Sequence, residues 1–143
     1  LRSKKRSVAK AAPRPESFRY FTDASLGRRI AITLRTHGMD VLMHDDVFPE
    51  GTKDVDWLPR AGQSGWIVLT KDKEIRYKTD ERDALRRAGV RQFVLVGGNL
   101  TSDEMAEAFV AARPAMEDLL RERAVPFIAR VSREGRITRV VEL

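Results

Sequence analysis

The sequence predicts an α/β protein with a mainly parallel sheet, finished by a C-terminal β-hairpin. Three observations predict it. Short apolar runs alternate with helical stretches four times, the pattern of a parallel sheet covered on both faces. Two of those runs, Trp66-Ile67-Val68-Leu69 and Phe93-Val94-Leu95-Val96, are continuously apolar, as strands buried on both faces are. The last two runs, 127–131 and 137–141, flank Glu134-Gly135 with the spacing of a hairpin.

The elements follow in order. Residues 1–17, rich in Lys and Arg with Pro13 and Pro15, hold too little apolar surface to order themselves. They are expected to form a flexible basic arm, binding a polyanion or serving as an inert tail. The organised domain is expected over 18–143. Residues 18–22 (FRYFT) form a β-type run. Leu26, Ile30 and Leu34 make one helical stripe over 25–37, closed by Gly38. Residues 41–43 form the second strand, and 50–53 a polar loop. A short helix is expected around 57–63, with Asp56 as its N-cap so that Pro59 falls at N3, where no intrahelical bond is lost. Asp54 would then be free to point at the sheet edge. The strand 66–69 comes next, then a charged helix over 79–88 stopped by Gly89. After the strand 93–96, Gly97-Gly98-Asn99 breaks the chain. Thr101 and Glu104 have capping-box spacing, so a long helix follows, which Pro114 is expected to kink or split.

Bulk properties narrow the function. The 143 residues suit one domain with a single core. At 42% hydrophobic and 34% charged, the chain is globular and too charged for a membrane protein. No apolar run nears the ~18 residues of a bilayer span. Cysteine is absent, which excludes disulfides and thiolate metal sites and fits a reducing cytoplasm. A net charge of +6 favours a polyanionic or acidic partner.

Ligands of open parallel sheets bind beyond the carboxyl ends of the strands. The first strand delivers Thr22-Asp23 there, the second His44-Asp45-Asp46, the third Thr70-Lys71-Asp72 and the fourth Gly97-Gly98-Asn99. Any one acid could be a helix cap or a turn residue. Three on one rim are harder to explain that way. Crowded carboxylates repel one another, and a hard divalent cation with oxygen ligands relieves that repulsion. Mg²⁺ or Mn²⁺ would then activate water and neutralise charge at a phosphodiester. Arg28, Arg29, Lys71, Lys73, Arg76 and Lys78 would hold the phosphates. His37 and His44 make a poor catalytic pair, and GGNL is neither a dinucleotide nor a Walker loop.

The order FTDASLGRR, MDVLMHDDVF, KDVDW and GWIVLTKDK resembles the PIN-like nucleases over residues 18 to about 122. It is most similar to the VapC-type toxins of toxin–antitoxin modules and related small PIN-like proteins. The resemblance implies a three-layer domain and a metal-dependent ribonuclease holding Mg²⁺ or Mn²⁺ at the sheet edge. It implies Asp23, Asp54 and Asp72 as catalytic metal ligands, Asp46 as a further metal ligand, and Thr70 as the hydroxyl partner of Asp72. Thr70, Lys71, Lys73, Arg28 and Asn99 are then the expected substrate contacts. The partners implied are RNA and a cognate antitoxin protein, with homodimerisation left open. The further acid that larger PIN domains supply from a later helix has no secure counterpart. A catalytically silent RNA- or protein-binding module on the same fold is the alternative. A phosphoryl-receiver domain fails, because the gap from Asp46 to Asp72 is too short for two βα units.

Overall fold

The computed structural model describes residues 17–71 and 79–143. Nearly all of the expected arm, and the segment with Asp72, Lys73, Arg76 and Lys78, lie outside those residues. The described elements are β1 (Arg19–Thr22), α1 (Arg28–Thr36), β2 (Asp40–Met43), α2 (His44–Val47), α3 (Asp54–Ser64), β3 (Ile67–Lys71), α4 (Thr79–Ala88), β4 (Arg91–Leu95), α5 (Ser102–Glu122), β5 (Phe127–Val131) and β6 (Ile137–Glu142).

One six-stranded sheet runs in the order β2-β1-β3-β4-β5-β6. The first five strands are parallel and β6 is antiparallel to β5. The expected mainly parallel sheet with a C-terminal hairpin is therefore the observed one. The chain leaves β1 towards one edge and leaves β3 towards the other. Between these two strands lies the point where the winding of the sheet reverses, and there their carboxyl ends open a crevice.

Period-2 alternation sorts the strand side chains onto two faces. Tyr20, Ile67, Leu69, Phe93 and Leu95 pack with Ile30 and Leu34 of α1 and Phe109, Ala112 and Met116 of α5. Phe21, Val68 and Val94 pack with Trp57, Leu58 and Ala61 of α3 and Leu85 of α4. This is the three-layer α/β/α arrangement. On the first face a polar tie crosses the core: the Tyr20 hydroxyl and Arg113 Nε both donate to Glu117 Oε2 at 2.9 Å. Burial and the adjacent Glu117 carboxylate push the Tyr20 phenol well above its ordinary range.

Helix boundaries depart from expectation at informative places. α3 begins at Asp54 with Lys53 as its N-cap, so Asp56 is not the cap and Pro59 sits inside the helix. Pro59 is exposed, so the carbonyl it leaves unpaired can take water. α5 is one unbroken helix despite Pro114, which does not split it. Pro114 is also on the solvent side, and Met105, Phe109, Met116 and Leu120 anchor both halves to one core. The Thr101–Glu104 capping box forms in full. The second strand stops at Met43 and His44 opens the short α2, so Asp45 and Asp46 do not continue the strand. Gly135 has φ 81 at the hairpin turn, and a Cβ there would lie 2.5 Å from that of Ala111. The tip of the hairpin therefore rests directly on α5.

Candidate active site

At the crevice, Asp23 ends β1 and its backbone N–H donates to the Leu69 carbonyl at 3.2 Å, which ties it to β3. Its side chain is the centre of a hydroxyl knot. Ser25 N–H donates to Oδ1 at 3.0 Å, and the Ser25 hydroxyl donates to the same oxygen at 2.5 Å. The Thr70 hydroxyl donates to Oδ2, also at 2.5 Å. Both hydroxyl protons are thus committed to Asp23. The 3.3 Å approach of the two hydroxyl oxygens leaves lone pairs, not protons, in the space between. Lys71 N–H closes the knot with a 3.4 Å contact to Ser25 Oγ.

Burial raises the Asp23 carboxyl above its ordinary 3.8, and the Asp54 carboxylate adds to the rise. The hydrogen bonds from Ser25 and Thr70 favour the ionised form but do not cancel the cost of burial. Asp54 stands across the crevice on the first turn of α3. Its Oδ1 accepts the Trp57 indole N–H at 3.1 Å, which fixes the carboxylate to its own helix.

These residues line one cavity of about 420 Å³. Asp23, Ser25, Thr70 and Lys71 form its rim on the strand ends, and Asp54 its side on α3. Asp80 and Glu81, at the start of α4, face the same space. Sequence reasoning missed three of these. Ser25 was visible as the i+2 residue of Asp23-Ala24-Ser25, the spacing of an Asx turn. Asp80 and Glu81 read as ordinary first-turn acids. Only the packing of α4 beside α3 turns them towards Asp23.

Among the described residues, the other expected site residues lie elsewhere. Asp46 is paired with Arg28 at 3.2 Å and Arg35 at 3.7 Å in exposed ion pairs, and neither Asp46 nor Arg28 lines the cavity. Their opposite charges neutralise each other on the α1 side. Asn99 sits in an exposed bend with φ 60, also away from the cavity. His44 is 2% exposed and packed against Phe21, Phe48 and Trp57, so it faces the core rather than a substrate. Among the described residues no three acids or histidines converge closely enough to hold a metal alone. The donors that do line the cavity are all hard oxygens: carboxylates of Asp23, Asp54, Asp80 and Glu81, and the hydroxyls of Ser25 and Thr70. That chemistry fits Mg²⁺ or Mn²⁺, which favour carboxylates and retained water over nitrogen or sulfur. A cation would also offset the buried charge of Asp23.

A half-buried acid held by hydroxyls thus stands at the point where a parallel sheet reverses its winding, where α/β folds place their ligands. The family model described as "PIN like domain" matches residues 18–97, and the chain belongs to that family. The chain is also 27% identical over 126 residues to the protein named "Putative ribonuclease VapC45" of Mycobacterium tuberculosis, covering 85% of this chain and 90% of that one. No solved structure gives a significant match.

Proposed function

We propose that the protein is a divalent-metal-dependent endoribonuclease that hydrolyses RNA phosphodiester bonds as the toxin of a toxin–antitoxin pair. The observation that carries this reading is the Asp23–Ser25–Thr70 knot facing Asp54 across one cavity. Membership of the PIN-like family and likeness to a VapC-named relative support it. In this reading Asp23 and Asp54 hold Mg²⁺ or Mn²⁺, together with Asp72. Such a cation supplies charge neutralisation at the phosphate and lowers the pKa of a water.

The chain's own residues do the rest. Ser25 and Thr70 hold the Asp23 carboxylate in a fixed orientation, with Oδ1 filled by the two Ser25 donors and Oδ2 keeping a lone pair for the cavity. Trp57 does the same for Asp54. Lys71, at the rim, attracts the phosphate backbone of the strand. Asp80 and Glu81, which line the same cavity, take the place of the late helical acid. An antitoxin would silence the enzyme by covering this cavity.

The test is cleavage of a structured RNA pool in Mg²⁺ or Mn²⁺, against EDTA and against DNA. Asp23→Asn and Asp54→Asn should each lower the rate by on the order of 10³-fold, the scale of several kcal/mol of lost charge stabilisation. Asp72→Asn should do the same. Wild-type rates in any of the three would remove that residue from the site. A second reading, a silent binding module, is favoured by the incomplete set of converging acids among the described residues. It requires RNA retention without cutting, and no change in thermal stability on adding metal.

A further inference from the structure

We propose that Arg87, at the closed end of the groove between α3 and α4, is a second phosphate anchor for RNA. It holds a backbone phosphate flanking the one that lies at Asp23 and Asp54. The proposal deepens the ribonuclease reading and rests on it.

Charge layout is the first argument. Among the described residues, six charged side chains line the cavity: Asp23, Asp54, Lys71, Asp80, Glu81 and Arg87. Five of them belong to strand ends and helix starts. Arg87 stands apart, in the last turn of α4. Along the helix its Cα lies about 10 Å from that of Asp80. Asp80, Ala84 and Arg87 follow one another at i, i+4 and i+7, so they share one face of α4. Ala84 lines the cavity between them, and its small side chain leaves the way from the acids to the arginine open.

Pairing is the second. Arg86 and Arg87 are neighbours, and both are exposed. Arg86 is held by Asp83 at 2.9 Å. Arg87 has no ion pair or hydrogen bond with any described residue. A cation near a helix C-terminus is an ordinary stabilising device. Arg86 already supplies it, and that role does not require a side chain turned towards a cavity. The Arg87 guanidinium therefore keeps all five N–H donors, in a planar fork that fits two oxygens of one phosphate.

The third argument is what such a layout recognises. The groove ends just beyond Arg87, where a Cβ on Gly62 of α3 would lie 1.6 Å from the Ala88 carbonyl of α4. A strand gripped through one phosphate at the acid end brings its neighbouring phosphates with it. The four carboxylates repel those neighbours wherever no cation stands between. Arg87 offers the next phosphate an opposite charge, removed from the acids by a Debye length of ~10 Å at 0.1 M salt. An acidic peptide would gain at Arg87 but lose against the four carboxylates. An RNA strand gains at both ends, because one phosphate shares the cation of the acids and another meets the arginine.

Binding is read by fluorescence anisotropy of a 5′-labelled single-stranded RNA in Ca²⁺, over a range of salt, with the RNA checked intact after each titration. Arg87→Ala should weaken binding about tenfold, as loss of a hydrogen bond to a charged group does. It should also reduce the slope of log affinity against log salt by about 0.7, the share of one phosphate contact on a single strand. Arg87→Lys should recover the slope but only part of the affinity, since it keeps the charge and loses the fork. Arg82→Ala removes an exposed charge of the same helix outside the cavity and should leave the slope unchanged. In RNAs carrying one methylphosphonate each, a single flanking linkage should cost the wild type about tenfold and Arg87→Ala nothing further. Equal slopes in wild type and Arg87→Ala, an equal loss in Arg82→Ala, or no linkage coupled to Arg87 would overturn the anchor. Cleavage in Mg²⁺ or Mn²⁺ separates this from the parent reading. Arg87-dependent binding by a protein that cuts no RNA would retire the nuclease and keep the anchor. Cutting with the same KM in wild type and Arg87→Ala would keep the nuclease and sink the anchor.

Discussion

The two faces of the sheet are built from the same strands and end differently. On the face of α1 and α5, apolar side chains form one large buried cluster, and one polar tie, Tyr20–Glu117–Arg113, is satisfied within it. On the face of α3 and α4 neither helix has the length of α5, and the two touch through Gly62 and Ala88. They leave a cavity whose rim carries acids and hydroxyls. One face stabilises the strands. The other spends part of its packing to hold Asp23 in a poorly solvated place. In the proposed reading, stability and chemistry sit on opposite sides of β1 and β3, whose residues alternate between the two.

That contrast can be broken by substitution. The largest effect is expected at the centre of the closed face. Phe109→Ala should cost about 3–5 kcal/mol in urea denaturation, the range for truncating a fully buried aromatic, while the folded fraction keeps its metal response. A small loss would mean that this face is looser than its packing implies. Next is Gly62→Ala, which adds one methyl where α4 backbone already stands. It should destabilise by about 1–3 kcal/mol, and by forcing the helices apart it should also alter the environment of Trp57 seen in fluorescence. Stability loss with unchanged Trp57 emission would show that the helix contact does not shape the cavity.

Tyr20→Phe should cost about 1 kcal/mol, since Glu117 loses one of its two hydrogen-bond donors and keeps Arg113. A loss beyond that of an ordinary core hydrogen bond would make the tie a larger anchor of the closed face.

The smallest change in stability carries the sharpest sign. The Asp23 carboxyl is raised in the fold by burial, so the folded state resists its ionisation. The stability associated with its protonated form is complete below the ordinary value of 3.8 and is lost as pH climbs through the raised folded value. Asp23→Asn should therefore melt higher than wild type at pH 7, and the two curves should meet in acid below that ordinary value. Adding Mg²⁺ at pH 7 should raise the wild-type Tm and narrow the gap, because a cation that binds only the folded state stabilises it. If the variant melts lower at every pH, the knot at Asp23 is structural support and not a strained site.

Much of the fold was legible because its signals are local. The runs at 66–69 and 93–96, the Leu26-Ile30-Leu34 stripe and the Thr101–Glu104 pair each declared an element from residues close in sequence. Asp23 and Thr70 were placed on the strand-end rim by the same reading. Asp54 was assigned to the rim through a misplaced helix start: the expected Asp56 cap kept Pro59 out of the helix interior. In the structure Pro59 faces solvent, where a carbonyl without a partner is tolerated, so tertiary context overrode a sound local rule. Asp46 shows a related effect of tertiary context. It is near the rim in sequence order, and in the fold it pairs with Arg28 and Arg35.

The sequence by itself determined the succession of strands and helices and which strands are buried on both sides, because periodicity and capping act over a few residues. It also determined that Asp23 and Thr70 stand at strand ends. Only the tertiary structure decided that β1 and β3 are neighbours with the winding reversing between them, that Ser25 and Thr70 close on one carboxylate, and that Asp80, Glu81 and Gln92 face the same cavity. Those are consequences of lateral strand order and of two helices meeting at a glycine. They rest on contacts between residues tens of positions apart, which no local pattern encodes.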